Sequence, residues 1–219
     1  MEVKEIFPNI FSINNKIATK NISPGFSVYG EELIKIKNVE YRFWNPFRSK
    51  IAAAIKNGLK EVQIKRSSKI LYLGAATGTT VSHISDIVKE GIVYSVECSP
   101  TAVKLLIKLS EKRKNVIPIL ADANHPDRYS SIVPNVDLVY QDISQRNQAE
   151  IFIENIGRFL KENGIGILMV KARSMDVSLK PEKVYDIVCS KLKENGLKII
   201  EKMDLKPYEK DHAAIVVTS

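Results

Sequence analysis

The apolar residues of this chain follow two rhythms. Up to about residue 40 they recur at every second position in short runs, NIFSI, KIATK, FSVYG and LIKIKNVEYRFW, punctuated by Asn14-Asn15 and Pro24-Gly25. That period predicts a few antiparallel strands or hairpins. From Pro46 the spacing changes. FRSKIAAAIKNGL carries apolar residues at helical intervals and stops near Gly58. Beyond it, unbroken apolar runs alternate with helical stretches. Strands are predicted at 69–74, 92–97, 115–120, 136–142 and 164–172. Helices are predicted through residue 88, from Ser99-Pro100 to about residue 113, over about 145–160, and from Pro181 to near Gly196. LKIIEKMDL and HAAIVVTS close the chain as two successive strands. Runs apolar throughout belong to strands covered on both faces. The pattern predicts a doubly wound α/β fold, its sheet mostly parallel with an antiparallel last strand. Residues 1–45 are assigned to a small N-terminal β-rich domain and 46–219 to the α/β domain.

Composition changes this picture little. With 219 residues, 44% of them hydrophobic, the chain suffices for one sizeable core. Charge adds more: 33 Lys+Arg against 25 Asp+Glu gives a formal +8. A basic excess favours anionic partners such as nucleic acid, with a lysine-rich proteome as the bland alternative. The two cysteines, Cys98 and Cys189, form no CxxC, which disfavours a zinc site or disulfide framework; no metal is expected. The opening MEVKEIFPNIF is too polar for a signal peptide, and no apolar run is long enough for a membrane span. A cytoplasmic chain is the expectation.

The candidate chemistry starts at LYLGAATGTTVSHISDIV, a strand, a small-residue loop and a helix. The loop runs Gly74, Ala75, Ala76, Thr77, Gly78, Thr79, Thr80. It lacks the lysine of a P-loop and the third glycine of GxGxxG. Its small residues still allow a ligand close to the backbone. Glu97 ends the next strand, roughly twenty residues on, where an acid can accept both hydroxyls of a ribose. Asp122, in LADAN, is placed to receive an adenine amino group, and Asp142 ends the fourth strand. Capping of the following helices is the alternative role for each acid. Together, three acids at successive strand ends repel a pyrophosphate and suit a cationic donor without phosphate, such as S-adenosylmethionine. Ala123 and Gln145 beside them complete the predicted cofactor set.

YRFWNPFRSKIAAAI, LYLGAATGTTVSHISDIV, VYSVE, LADA, VYQDISQ, VKARSMD and DLKPYEKDHA occur in this order. Together they resemble the fibrillarin family, over nearly the whole chain and in its short archaeal form, without a Gly/Arg-rich N-terminal tail. The resemblance implies a Rossmann-like methyltransferase sheet with a small N-terminal β domain, S-adenosyl-L-methionine as cofactor, and the ribose 2′-hydroxyl of rRNA and tRNA as methyl acceptor. It implies a catalytic set of Lys50, Asp142, Lys171 and His212. It also implies partners: a Nop-family scaffold protein, a box C/D guide RNA, and a kink-turn-binding ribosomal-type protein reached through the scaffold.

The chemistry accommodates that set. A 2′-hydroxyl is a poor nucleophile, so alignment is worth roughly 7–11 kcal/mol and proton transfer a further 10²–10⁴-fold or so. Lys171, ending the apolar run ILMVK, is expected to orient the hydroxyl and stabilise developing alkoxide, with the proton acceptor left open. Asp142 is expected to orient Lys171, Lys50 to touch the substrate backbone, and His212 to complete the ring. Without the resemblance, Lys50 reads as solvated, Lys171 as snorkelling and His212 as an ordinary polar residue. His83 and His125 are taken as structural or peripheral, Cys98 as inert, and Phe43, Trp44 and Phe47 as the hinge between the two domains. Arg42, Arg48, Lys50, Arg146, Arg173 and Lys180 are placed near the active edge, where they would give RNA affinity without sequence choice. Three other readings stay open: a nicotinamide-dependent dehydrogenase, a catalytically silent ribonucleoprotein subunit, and a nitrogen-directed methyltransferase. DISQ at 142–145 fits oxygen chemistry better than the last.

Overall fold

In the computed structural model, which describes residues 2–62 and 64–219, the apolar runs form β6 (Lys69–Leu73), β7 (Ile92–Glu97), β8 (Val116–Leu120), β9 (Val136–Gln141), β10 (Leu160–Lys171), β11 (Lys198–Asp204) and β12 (His212–Thr218). They make one seven-stranded sheet in the order β11-β12-β10-β9-β6-β7-β8. β12 pairs antiparallel with both neighbours, and the remaining pairs are parallel. Alternation along a strand explains why the runs carry no polar face. Ile70 and Tyr72 of β6 enter one core, Leu71 and Leu73 the other. The first core is covered by α1 (Lys50–Lys56), α2 (Thr79–Ile87) and α3 (Pro100–Lys112), through Ile51, Val81 and Leu106. The second is covered by α4 (Gln148–Phe159) and α6 (Pro181–Glu194), through Phe152 and Val188; the short α5 (Ala172–Met175) follows β10.

The N-terminal part is a five-stranded antiparallel sheet of β1 (Val3–Phe7), β2 (Ile10–Ile13), β3 (Lys16–Lys20), β4 (Leu33–Ile36) and β5 (Val39–Phe43), in the order β1-β2-β3-β5-β4. Two details differ from the sequence reading. The polar stretch at the start pairs as β1 against β2. FSVYG, expected as a strand, is a loop, because the Glu31 carboxylate gathers the backbone N–H groups of Val28 and Tyr29 at 2.8–3.0 Å. Helix starts also move. Asn45 accepts from Phe47 N–H through its side chain and from Arg48 N–H through its carbonyl, so residues 46–49 turn and α1 begins only at Lys50.

The two sheets are joined by a buried polar cluster. Arg42 of β5 lies fully buried, although its type and position suggested the active edge. Its guanidinium meets Glu31 at 2.6 Å and Asp86 of α2 at 2.8 Å, and Nη2 donates to Ser82 Oγ. Arg113, just past α3, reaches the other oxygen of Asp86 at 2.5 Å. Asp86 Oδ2 also accepts from the Thr19 hydroxyl at 2.8 Å. That donation leaves Thr19 Oγ as acceptor for His83 Nδ1–H, so His83 Nε2 accepts from the Tyr29 hydroxyl, each at 2.8 Å. Burial, with Arg42 and Arg113 adding to it, keeps the His83 imidazole neutral, far below its ordinary pKa. Trp44 stacks on the same ring at 4.9 Å between centroids. Trp44 is therefore packed at the junction, whereas Phe43 packs in the apolar cluster of the N-terminal sheet and Phe47 is exposed and meets Tyr208 edge-on.

Candidate active site

The strand order reverses at β6, with β7 on one side and β9 on the other. Chains leaving β6 and β9 diverge there and open a crevice beyond the C-terminal strand ends. A cleft of about 280 Å³ occupies it, lined among others by Gly74, Ala76, Glu97, Asp122, Asp142 and Gln145, with Ala123 also on its wall. A larger cleft of about 530 Å³ lies between the N-terminal sheet and the segment entering α1; it shares no lining residue with the first.

Close backbone approach shapes the floor. Gly74 has φ +81°, and a Cβ there would stand 2.3 Å from the Asp142 carbonyl oxygen. Asp142 N–H donates to Leu73 C=O at 2.9 Å, and Gly74 and Ala75 N–H both donate to Val96 C=O. The loops after β6, β7 and β9 are thus tied by main-chain bonds. Ala76 sits at φ +47°, a conformation costly to a residue with a Cβ, with its N–H on Glu97 Oε2 at 2.8 Å. Of the predicted loop, Gly74 and Ala76 line the cleft. Ala75 is buried beneath it, and Gly78, φ +92°, starts α2 hard against Leu109. Thr77 and Thr79 stay outside the lining, and Thr80 is buried, its hydroxyl donating to Ser49 Oγ at 3.0 Å.

Nearby N–H donors hold two of the acids. Glu97 also accepts from Ser99 N–H at 2.8 Å. Backbone and side-chain donation by Asn124 holds the Asp122 carboxyl below the usual range. Asn124 Nδ2 also donates to Gln145 Oε1 at 2.9 Å, joining the loops after β8 and β9. Burial and the neighbouring Glu97 push the Cys98 thiol up, so it is no thiolate nucleophile. Among the described residues no group of three or more His, Cys, Asp or Glu could hold a metal ion.

Two pairs stand at the adjoining rim. Lys50 Nζ, on the first residue of α1, lies 2.7 and 3.0 Å from the two oxygens of Asp142, with both side chains about four-fifths covered. Lys171, the last residue of β10, is paired directly with His212, the first residue of β12. His212 Nδ1 is 2.7 Å from the Lys210 carbonyl. A carbonyl only accepts, so Nδ1 carries a proton and Nε2 is left open. The expected contact of Asp142 with Lys171 is not among the hydrogen bonds of the described residues. Asp142 is taken by Lys50, and Lys171 Nζ has no hydrogen-bond partner among the described residues. Lys171 is held instead through its backbone, by Gln148. Ser49, Asn124 and Gln148 were not singled out from sequence; Ser49 and Gln148 act on residues distant in the chain, and Asn124 ties Asp122, two residues away, to the distant Gln145.

Known proteins are similar to this chain over nearly its whole length. The profile of the fibrillarin family matches residues 1–219. The fibrillarin-like rRNA/tRNA 2′-O-methyltransferase of Methanocaldococcus jannaschii is 48% identical over 221 aligned residues, covering 99% of this chain and 96% of that protein. The crystal structure of Aeropyrum pernix fibrillarin in complex with natively bound S-adenosyl-L-methionine is similar with a TM-score of 0.91 at 39% identity, covering 100% of this chain and 98% of that one. A fibrillarin chain solved in a fibrillarin/Nop5p complex is similar with a TM-score of 0.90 at 45% identity, covering 98% and 99%.

Proposed function

The chain belongs to the fibrillarin family, and from that premise we propose that it methylates the ribose 2′-hydroxyl of ribosomal and transfer RNA with S-adenosyl-L-methionine as donor. One observation carries the reading: an acid-lined cleft beside a rim that pairs Lys50 with Asp142 and sets Lys171 against His212.

The cleft suits that donor on two counts. Its lining holds Glu97, Asp122 and Asp142 and neither Lys nor Arg, which accommodates a sulfonium and repels a pyrophosphate. Gly74, where a side chain would collide with Asp142, leaves the backbone bare on its floor. Glu97 would hold the ribose hydroxyls, Asp122 with Ala123 and Gln145 the adenine side, and Asp142 the region of the sulfonium. When bound, the donor supplies an electrophilic methyl group. Everything else falls to the protein. Asp142 fixes the Lys50 ammonium. Lys50 holds the incoming ribose-phosphate, and Lys171 stabilises negative charge gathering on the 2′-oxygen. His212, protonated at Nδ1, presents Nε2 to the same ring. Alignment on this scale is worth roughly 7–11 kcal/mol.

Specificity has to come from outside the chain. Exposed Arg48, Arg146, Arg173 and Lys180 supply backbone affinity alone. A Nop-family scaffold docks the enzyme, a box C/D guide RNA selects the target by base pairing, and a kink-turn-binding ribosomal-type protein anchors the scaffold. No helix among the described residues is long and apolar enough to cross a membrane, in keeping with work in the cytoplasm. The test is methylation of a guide-matched RNA with and without scaffold and guide, mapping the modified nucleotide. One guide-addressed ribose is expected in the assembly and only weak, unspecific modification by the chain alone. Robust site-specific methylation by the chain alone overturns guide dependence. Calorimetric binding of NAD in place of S-adenosylmethionine overturns the chemistry.

A further inference from the structure

β9 ends at Gln141, paired with Leu168 of β10. β10 runs on to Lys171. On the β12 side the extension stays paired, Val170 with Ala213 and Lys171 with His212, and Ala172 N–H donates to Asp211 C=O. On the β9 side there is no strand left to meet the peptide groups of Lys171. A buried N–H and C=O left without partners would destabilise the strand end. Here one side chain takes both. Gln148 Oε1 accepts from Lys171 N–H at 2.9 Å, and Gln148 Nε2 donates to Lys171 C=O at 3.2 Å.

The amide of Gln148 therefore completes the missing rung of the sheet at the one residue that carries the amine. Gln148 is itself fixed. It is fully buried at the start of α4, its Nε2 also donates to Gln145 C=O at 2.9 Å, and its own carbonyl accepts from Gln141 Nε2 at 2.6 Å. With no partner on Lys171 Nζ among the described residues, the aim of the amine depends on where its Cα is held. Neither Asn nor Glu reproduces the contact: the first is one methylene short, and the second has no N–H to give the carbonyl.

We propose that Gln148 is a positioning residue for methyl transfer, acting through the backbone of Lys171 to aim its ammonium at the 2′-oxygen. This rests on the role given above to Lys171. A misplacement near 1 Å is worth about 10²-fold in rate.

The experiment is a double-mutant cycle in the assembled guide-RNA particle, comparing Gln148→Leu, Lys171→Ala and the double variant. Single-turnover methylation is the readout, with S-adenosylmethionine affinity measured on each protein. Gln148→Leu is expected to slow transfer by about 10- to 100-fold, with affinity changed less than about threefold. In the Lys171→Ala background the same change is expected to slow transfer by less than about twofold, because the group it aims is gone. Multiplying factors in the double variant, or a wild-type rate in Gln148→Leu, overturn the inference. A wild-type rate in Lys171→Ala overturns the role of Lys171 itself, which is a separate failure. Should Gln148→Leu not fold, Gln148→Glu takes its place in the cycle, with the same outcomes decisive.

Discussion

Two sets of charged residues in this molecule look alike on paper and work in opposite ways. The junction set is Glu31, Arg42, Asp86 and Arg113; the rim set is Lys50, Asp142, Lys171 and His212. Each joins segments far apart, 44 residues for Arg42 and Asp86 and 92 for Lys50 and Asp142, and each has a carboxylate-to-cation contact below 3 Å. The difference is water. Side-chain exposure is 0–1% across the junction pairs but 18% and 19% for Lys50 and Asp142. Sealed charges can only hold structure, because no ligand reaches them and each needs the others to offset its desolvation. Charges at an open rim contribute little to folding and stay available to a substrate. Burial, more than residue type, separates the structural ion pair from the functional one.

The contrast is sharpest at the two aspartates. Asp86→Ala leaves the sealed Arg113 without a carboxylate and Arg42 with Glu31 alone. It is expected to cost about 3–5 kcal/mol in denaturant unfolding, with S-adenosylmethionine affinity of the folded fraction little changed. Asp142→Asn is expected to do the reverse. Transfer in the assembled particle falls by about 10²–10³-fold. Unfolding free energy moves by less than about 1 kcal/mol. Equal losses of stability in the two variants would erase the distinction.

A pH series divides the same regions by titration. Neutral His83 has a pKa in the folded chain below its unfolded value of about 6.5. As pH falls through that window the unfolded chain takes the proton first, so the contribution present above pH 6.5 is lost at up to about 1.4 kcal/mol per pH unit. Glu31 reinforces the trend only at lower pH. Burial raises its pKa, but bonds from Tyr29 and Val28 N–H and the charge of Arg42 hold it below the usual carboxylate range. Unfolding measured at pH 7.5, 6.5 and 5.5 is expected to show the slope in wild type and a shallower one in His83→Gln. The smallest effect belongs to a pair with neither burial nor function. Lys16 and Glu32 are about 60% exposed, and Glu32→Ala is expected to shift unfolding by less than about 0.5 kcal/mol.

Much of the fold was legible because it depends on local signals. KILYLG, IVYSVE and GIGILMVKA are apolar on both faces, and every one became a strand with two covered sides. The acids at strand ends were legible for the same reason: Glu97, Asp122 and Asp142 line one cleft because parallel strands end at one edge. What stayed hidden depended on long-range choice. Arg42 read as a surface cation because nothing nearby announces Glu31, Asp86 and Ser82 around it. A clue existed in SHISD, where Ser82, His83, Ser85 and Asp86 are all buried on a helix pressed between two sheets. The carboxylate of Asp142 could go to either of two lysines. The start of α1 lies over the strand edge and took it, leaving Lys171 to a glutamine that no spacing pointed to.

The one reversed strand has a practical side. His212 sits at the working edge, and β12 then runs away from it for seven residues to Thr218, about 20 Å at the usual rise per residue. A dye, affinity handle or surface tether attached after Thr218 therefore emerges at the opposite edge of the sheet. Immobilised that way, the protein turns its working edge outward, so an assay on a chip or bead reads an unobstructed catalyst.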